Sequence, residues 1–226
     1  GEVRNRDFFG GNLAGITSKL DYLQSLGVTS IYLNPIFKAY SNHKYDTEDY
    51  ETVDPMFGTN DDFSILCREA AKRNIRVVLD GVFNHVGSSS KYFNAKGKYG
   101  KGGAYNDQNS PYRSWFTFHQ DGSYDCWWNF KSLPRIAAKS KGAQEYFCGQ
   151  NGIVRRWLEA GASGWRLDVV DEIADCMLDK IVSAAKTQND RAAIIGEVWE
   201  DASDKTAYGK RRHYLDGSQL DSVMNY

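Results

Sequence analysis

Gly164-Trp165-Arg166-Leu167-Asp168-Val169-Val170-Asp171-Glu172 reads as a short buried strand that breaks into a cluster of charge. Leu167, Val169 and Val170 suit an enclosed, pleated surface. Arg166 and Asp168 lie two residues apart, and residues i and i+2 of a strand point to one face. A cation and an acid therefore emerge side by side from an otherwise apolar element. Burial costs each ion several kcal/mol unless it is paired and hydrogen-bonded. Taken alone, the stretch is a structural Arg–Asp pair. It gains weight because two more strands of the chain also end in an acid.

Working outward from this stretch, helices and strands alternate. Leu13, Ile16, Leu20, Leu23 and Leu26 recur at helical spacing and mark a core-facing helix stopped by Gly27. Thr29 to Leu33 follows as a strand. Thr59 caps a helix running to about Arg73, ahead of the strand Ile75–Asp80. Phe147, Val154, Trp157 and Leu158 place an apolar stripe on a helix near 143–160, stopped by Gly161 before the opening strand. A helix over Ile173–Lys186 leads to the strand Ala193–Trp199, and Asp221–Tyr226 reads as one more strand.

This alternation predicts right-handed crossovers and a parallel sheet buried on both faces. An open doubly wound sheet and a (β/α)8 barrel both satisfy it. Acids at the ends of several strands favour the barrel mouth, and no glycine-rich loop supports a dinucleotide site. Between Asp80 and Gly164 lies more chain than one helix requires. The stretch 86–134 is rich in Gly, Ser, Lys, Tyr, Asn and Trp, and its aromatics Tyr92, Phe93, Trp115, Phe116, Phe118, Trp127 and Trp128 predict a folded excursion.

Composition narrows the function classes. With 226 residues, 41% hydrophobic and 25% charged, the chain can bury a sizeable core. A net charge of −1 gives no electrostatic reason to expect nucleic acid or an anionic membrane. Nothing reads as a membrane span or signal peptide. The four cysteines form no CxxC pair, three fall in predicted helices as small buried hydrophobes, and free thiols in a reducing compartment are expected. Fourteen Tyr and six Trp supply flat apolar faces suited to sugar rings.

Taken as a set, Asp80 and His85, Arg166 and Asp168, and Glu197 would meet at one barrel mouth. Two carboxylates flanking one bond equip a site for glycoside hydrolysis, one ionised and one protonated. Arg166 beside Asp168 should favour its charged form, while Trp199 and apolar walls should raise Glu197.

These residues also resemble the α-amylase-type glycoside hydrolases (family 13), most closely the neopullulanase and cyclomaltodextrinase branch. The matching motifs are Asp80-Gly81-Val82-Phe83-Asn84-His85, Gly164-Trp165-Arg166-Leu167-Asp168 and Gly196-Glu197-Val198-Trp199. His43-Lys44-Tyr45-Asp46, followed by Asp54-Pro55-Met56-Phe57-Gly58, and Leu133-Pro134-Arg135-Ile136 add two more in family order. The resemblance implies a partial (β/α)8 TIM barrel holding about strands 2–6. It would comprise barrel parts at 1–85 and 135–226 and an inserted irregular subdomain at 86–134 after the third barrel strand. It implies Asp168 as nucleophile and Glu197 as acid/base of a retaining mechanism, with carboxyls about 5–5.5 Å apart. Arg166 would hold Asp168 ionised, His85 would bond the sugar, Tyr45 would stack beneath it, Asp80 would brace Tyr45 and Arg166, and Trp199 would line the site.

Two departures from the family pattern stand out. Asp171-Glu172 occupy positions where many members carry Lys-His, one of them at a calcium site, although Asn84 matches another calcium-ligand position. No cofactor is required, and calcium is an option at Asn84 only. The family's third carboxylate lies after a seventh strand, beyond Tyr226, so the isolated chain is expected to be inactive. The expected parent is a cytoplasmic α-glucan hydrolase cleaving α-1,4 bonds of cyclodextrin, maltooligosaccharide, starch or pullulan, with a homodimer as an option. The alternatives are a transglycosylase of the same family or a non-catalytic barrel protein.

Overall fold

The computed structural model describes residues 7–224 and 226. Five parallel strands form its main sheet: β1 (Ser30–Tyr32), β4 (Arg76–Gly81), β5 (Gly164–Leu167), β6 (Ala193–Gly196) and β9 (Ser222–Val223). They lie side by side in chain order, each paired in parallel with the next. A doubly wound sheet reverses its strand order at a switch point, whereas a barrel does not. The sheet is therefore an arc of a (β/α)8 barrel, with β1 and β9 at its two edges among the described residues.

Alternation along β5 separates the outer core from the inner face. Trp165 and Leu167 are fully buried; Trp165 lies against Phe37 and Phe83, and its indole donates to the Val154 carbonyl. Arg166 takes the opposite face, in register with Asp80 on β4 and Ile195 on β6. Gly164 allows β6 to approach closely: a Cβ there would stand 2.2 Å from the Ala193 carbonyl oxygen.

The helices cover the outer face. In α3 (Asn60–Ala71), Thr59 and Asp62 form a capping box, and Phe63, Leu66, Cys67 and Ala70 face the core. In α6 (Asp175–Gln188), Leu178, Ile181 and Ala185 are buried. The single helices expected at 13–26 and 143–160 are each broken. The first becomes α1 (Leu13–Thr17) and α2 (Leu20–Ser25), because Ser18 caps α1 and Lys19 leaves helical geometry. Leu13 and Leu20 are buried, but Leu26, at the end of α2, is 60% exposed. The second becomes α4 (Lys141–Cys148) and α5 (Ile153–Glu159), parted at Gly149–Gly152, where a Cβ on Gly152 would stand 2.8 Å from the Phe147 carbonyl.

The end of the chain is also shorter in strand than expected: β9 covers only Ser222–Val223 of the predicted 221–226 strand, and Asn225 lies outside the described residues. Two antiparallel hairpins complete the fold, β2 (Phe37–Ala39) with β3 (Thr47–Val53), and β7 (Thr206–Ala207) with β8 (Lys210–Arg211).

The excursion after β4 closes on itself at its base, where Val86 donates to the Pro134 carbonyl (3.1 Å) and Ser88 to that of Ser132 (2.8 Å). Tyr92, Phe93, Trp115 and Phe116 are buried within it, and the Tyr92 and Trp115 rings stack at 5.3 Å. Buried Glu48 on β3 bonds Ser89 (2.8 Å) and Lys98 (2.6 Å), tying the excursion to the hairpin. The four cysteines are free. Burial pushes the Cys67 and Cys148 thiols up to about 12, whereas Cys176 is exposed, contrary to the expectation of a buried helical cysteine.

Candidate active site

Backbone pairing carries past the strand ends and places the acids. Asp168 N–H donates to the Gly81 carbonyl (3.1 Å) and Glu197 N–H to that of Leu167 (2.9 Å), extending the β4–β5 and β5–β6 ladders by one residue. The chain then turns sharply. Val169 sits at φ 41°, ψ 52°, a left-handed conformation that a β-branched side chain rarely tolerates. The turn aims its N–H at Glu197 Oε2, 2.8 Å away. Strained backbone of this kind costs about 1–3 kcal/mol and persists where surrounding contacts impose it.

Arg166 is the hub. Its Nη1 lies 3.1 Å from both oxygens of Asp80 and 2.9 Å from Asp168 Oδ1, and its Nη2 lies 2.7 Å from Glu197 Oε1. One guanidinium thus holds three carboxyls delivered by three adjacent strands. Asp80 also accepts hydrogen bonds from the hydroxyls of Tyr32 and Tyr45, the latter at 3.0 Å.

Three acids around one cation leave excess negative charge in a buried place. Burial, then the charges of Asp80 and Glu197, push the Asp168 carboxyl well above the usual carboxylate range; Arg166 opposes them without prevailing. Burial also pushes Glu197 up, but the Val169 N–H, Trp199, Arg166 and Tyr226 outweigh it and lower that carboxyl. The directions are therefore the reverse of those expected from the sequence. The reason is that Arg166 is shared, and Glu197 collects more donors than Asp168.

A cavity of about 640 Å³ opens beside the acids, lined by Tyr45, His85, Trp127, Asp168, Glu197 and Trp199 among others. Burial lowers His85 to about 4, so its ring is neutral at pH 7. Its Nδ1 faces the Asn84 amide nitrogen at 3.2 Å, which leaves the proton on Nε2; that atom is buried with no partner. An orphaned donor on the wall of a cavity awaits an acceptor.

Residues 3–226 match the α-amylase catalytic-domain family. The chain belongs to that family. It is 45% identical to an amylopullulanase of Thermoanaerobacterium saccharolyticum over 247 residues, a match that takes in 99% of this chain and 18% of that protein. It is 37% identical to neopullulanase 2 of Thermoactinomyces vulgaris, covering 99% of this chain and 36% of the relative, and 37% identical to an intracellular maltogenic amylase of Bacillus subtilis, covering 97% and 35%. The type III pullulan hydrolase of Thermococcus kodakarensis superposes with a TM-score of 0.82 at 37% identity, covering 97% of this chain and 36% of that one. The chain thus spans well under half the length of the curated relatives it matches.

Asp80, Arg166, Asp168, Glu197, Tyr45, His85 and Trp199 converge on one site, while Asn84, next to His85, faces a neighbouring cavity. Asn84 lines a cavity of about 180 Å³ together with Thr117, Asp125, Arg135 and Glu172, and its amide contacts His85. No group of three or more His, Cys, Asp or Glu among the described residues could hold a metal. Sequence reasoning missed Tyr32, Val169 and Trp127's place on the cavity wall. Tyr32 carried a usable signal, since it ends a strand next to Asn34-Pro35 as the acids end theirs.

Proposed function

We propose that the protein containing this chain is a retaining α-glucan hydrolase that cleaves α-1,4-glucosidic bonds. The observation that supports this best is Arg166 gripping Asp168 and Glu197 at once, at the edge of a cavity walled by Tyr45, His85 and Trp199. In the first step an oxygen of Asp168 bonds to the anomeric carbon as the glycosidic bond breaks, and Glu197 gives its proton to the departing oxygen. In the second, Glu197 takes a proton from water, whose oxygen displaces Asp168 and releases the sugar in its original configuration.

The balance of burial and charge runs against the first step, which needs Asp168 ionised and the proton on Glu197. Binding must move it: a glycosidic oxygen beside Glu197 is an acceptor that favours the protonated acid, and a sugar displacing the Tyr226 hydroxyl, 2.9 Å from Oε1, removes a donor that favours the anion. His85 supplies a neutral Nε2–H donor to the sugar, and Tyr45 a flat face. The chemistry needs no cofactor. Residues 86–134 form a subdomain over the cavity, and the described residues within 1–85 and 135–226 are the barrel parts. The free thiols and the intracellular maltogenic amylase relative favour a cytoplasmic setting.

The direct test is nuclear magnetic resonance of products released by the full-length protein from cyclodextrin, maltooligosaccharide and pullulan. The α-anomer should appear first. Initial release of the β-anomer would overturn the retaining assignment.

A further inference from the structure

The groove between α4, α5 and α6 on the outer face of the barrel holds a cavity of about 570 Å³, within the range of about 300–1,000 Å³ usual for small-molecule sites. None of its lining residues lines the cavity beside Asp168 and Glu197. Helical spacing builds it. Lys141, Gln144, Glu145 and Cys148 are positions i, i+3, i+4 and i+7 of α4 and share one face. Asp179, Lys180 and Ser183 come from α6, and Arg155 from α5.

Three cations therefore meet two acids, yet they do not pair. Among the described residues, no carboxylate lies within 4.0 Å of the charged nitrogens of Lys141, Arg155 or Lys180. Arg156, the next residue of α5, reaches Glu51 at 3.3 Å. Arg155 Nε is buried with no hydrogen-bond partner. That nitrogen has given up water and gained nothing, a cost that a bound acceptor would remove. Burial raises the Cys148 thiol and the charges of Lys180 and Arg155 oppose it, while Glu145 adds to it, so these three groups gather about one sulfur. Asp179 Oδ1 accepts from the Gln219 amide at 2.7 Å instead of from a cation.

The lining selects its ligand. A guanidinium and two ammonium groups suit a phosphate, which they hold by charge-assisted hydrogen bonds. Glu145 and Asp179 would repel that phosphate, but they accept from hydroxyls, as do Gln144 and Ser183. No aromatic ring is among the described residues that line the cavity, so an uncharged sugar would find no stacking face. A molecule with a phosphate at one end and hydroxyls at the other satisfies both sets of groups.

We propose that this groove binds a small phosphorylated sugar, with Arg155 and Lys180 holding the phosphate and Glu145 and Asp179 accepting from the sugar hydroxyls.

Isothermal titration of the full-length protein with glucose 6-phosphate tests it. Binding should be saturable, and Arg155→Gln and Lys180→Gln should each weaken it by about tenfold or more. Arg156→Gln, which removes a guanidinium already paired with Glu51, should leave the affinity unchanged. Inorganic phosphate and glucose should each bind about tenfold more weakly than the sugar phosphate. Lys180 is exposed, and the melting temperature of each variant without ligand reports that it has folded. Absence of saturable binding in the wild type, or an affinity unchanged in both the Arg155 and Lys180 variants, overturns the proposal. Inorganic phosphate binding as tightly as glucose 6-phosphate overturns the assignment of a sugar to the groove.

Discussion

The Val169 N–H donates to Glu197 Oε2 at 2.8 Å, so the residue that follows one acid orients the next. This contact exists only because Val169 occupies left-handed space. Glycine reaches that space without strain, and proline cannot reach it or donate. Val169→Gly should therefore keep turnover within roughly tenfold of wild type, with relief of strain offsetting lost burial of the side chain. Val169→Pro should lose about a hundredfold or more in kcat. Steady-state rates decide it, and equal rates in the two variants would show that the contact is idle.

Asp168, the proposed nucleophile, is expected to lower stability at neutral pH. Its folded-state pKa is raised, first by burial and then by Asp80 and Glu197. The folded protein therefore binds that proton more tightly than the unfolded chain. Stability from this group is fully present below the ordinary carboxylate pKa and is lost as pH rises through the folded value. Asp168→Asn removes the effect. The variant should melt about 2–4 °C higher than wild type at pH 7, with the gap closing near pH 4, while kcat falls by orders of magnitude. Scanning calorimetry across that range supplies the check; a lower melting point at pH 7 contradicts the charge balance described here.

His85 works in the opposite direction. Burial lowers it to about 4, so below about 6.5 the unfolded chain takes up a proton that the folded protein refuses. Stability from this group is lost as pH falls from about 6.5 towards 4, whereas the contribution of Asp168 grows as pH falls. His85→Asn should flatten that loss and also cost about a hundredfold in kcat/KM through the missing Nε2–H donor. Denaturant midpoints at pH 5 and 7 would expose a slope that survives the substitution, which would place the proton uptake elsewhere.

Much of this arrangement was legible in the sequence because strand periodicity and strand-end acids are local signals. Arg166 and Asp168 share a face for any strand through them, and chain-order pairing then brings Asp80 and Glu197 alongside. The hairpin β2–β3 was not legible. Its polar run Thr47-Glu48-Asp49 resembles a loop, and Glu48 is buried only because Ser89 and Lys98, about forty to fifty residues away, satisfy it. The breaks at Ser18–Lys19 and Gly149–Gly152 were hidden for a similar reason, since apolar spacing continues across them. Reversal of the Asp168 and Glu197 charge preferences depends on how one guanidinium divides among three acids, which no local pattern encodes.

Tyr32 offers the most economical test of that division. Its hydroxyl donates to Asp80 Oδ2, and the Arg166 guanidinium lies 5.8 Å from its ring centre. Asp80 and Asp168 draw on the same Nη1 of Arg166. Removing the Tyr32 hydroxyl makes Asp80 rely more on that nitrogen, leaving less of it for Asp168, whose other charged neighbours are Asp80 and Glu197. Tyr32→Phe should therefore shift the acidic limb of the kcat/KM profile upward and lower the plateau roughly fivefold, the worth of about one hydrogen bond. Tyr45→Phe, which removes the other phenol on Asp80, should move the limb the same way and also raise KM if its ring and hydroxyl position the sugar. A role confined to packing would leave the limb in place, because phenylalanine preserves the ring. An unmoved limb in both variants would mean that the phenols do not govern the charge on Asp168.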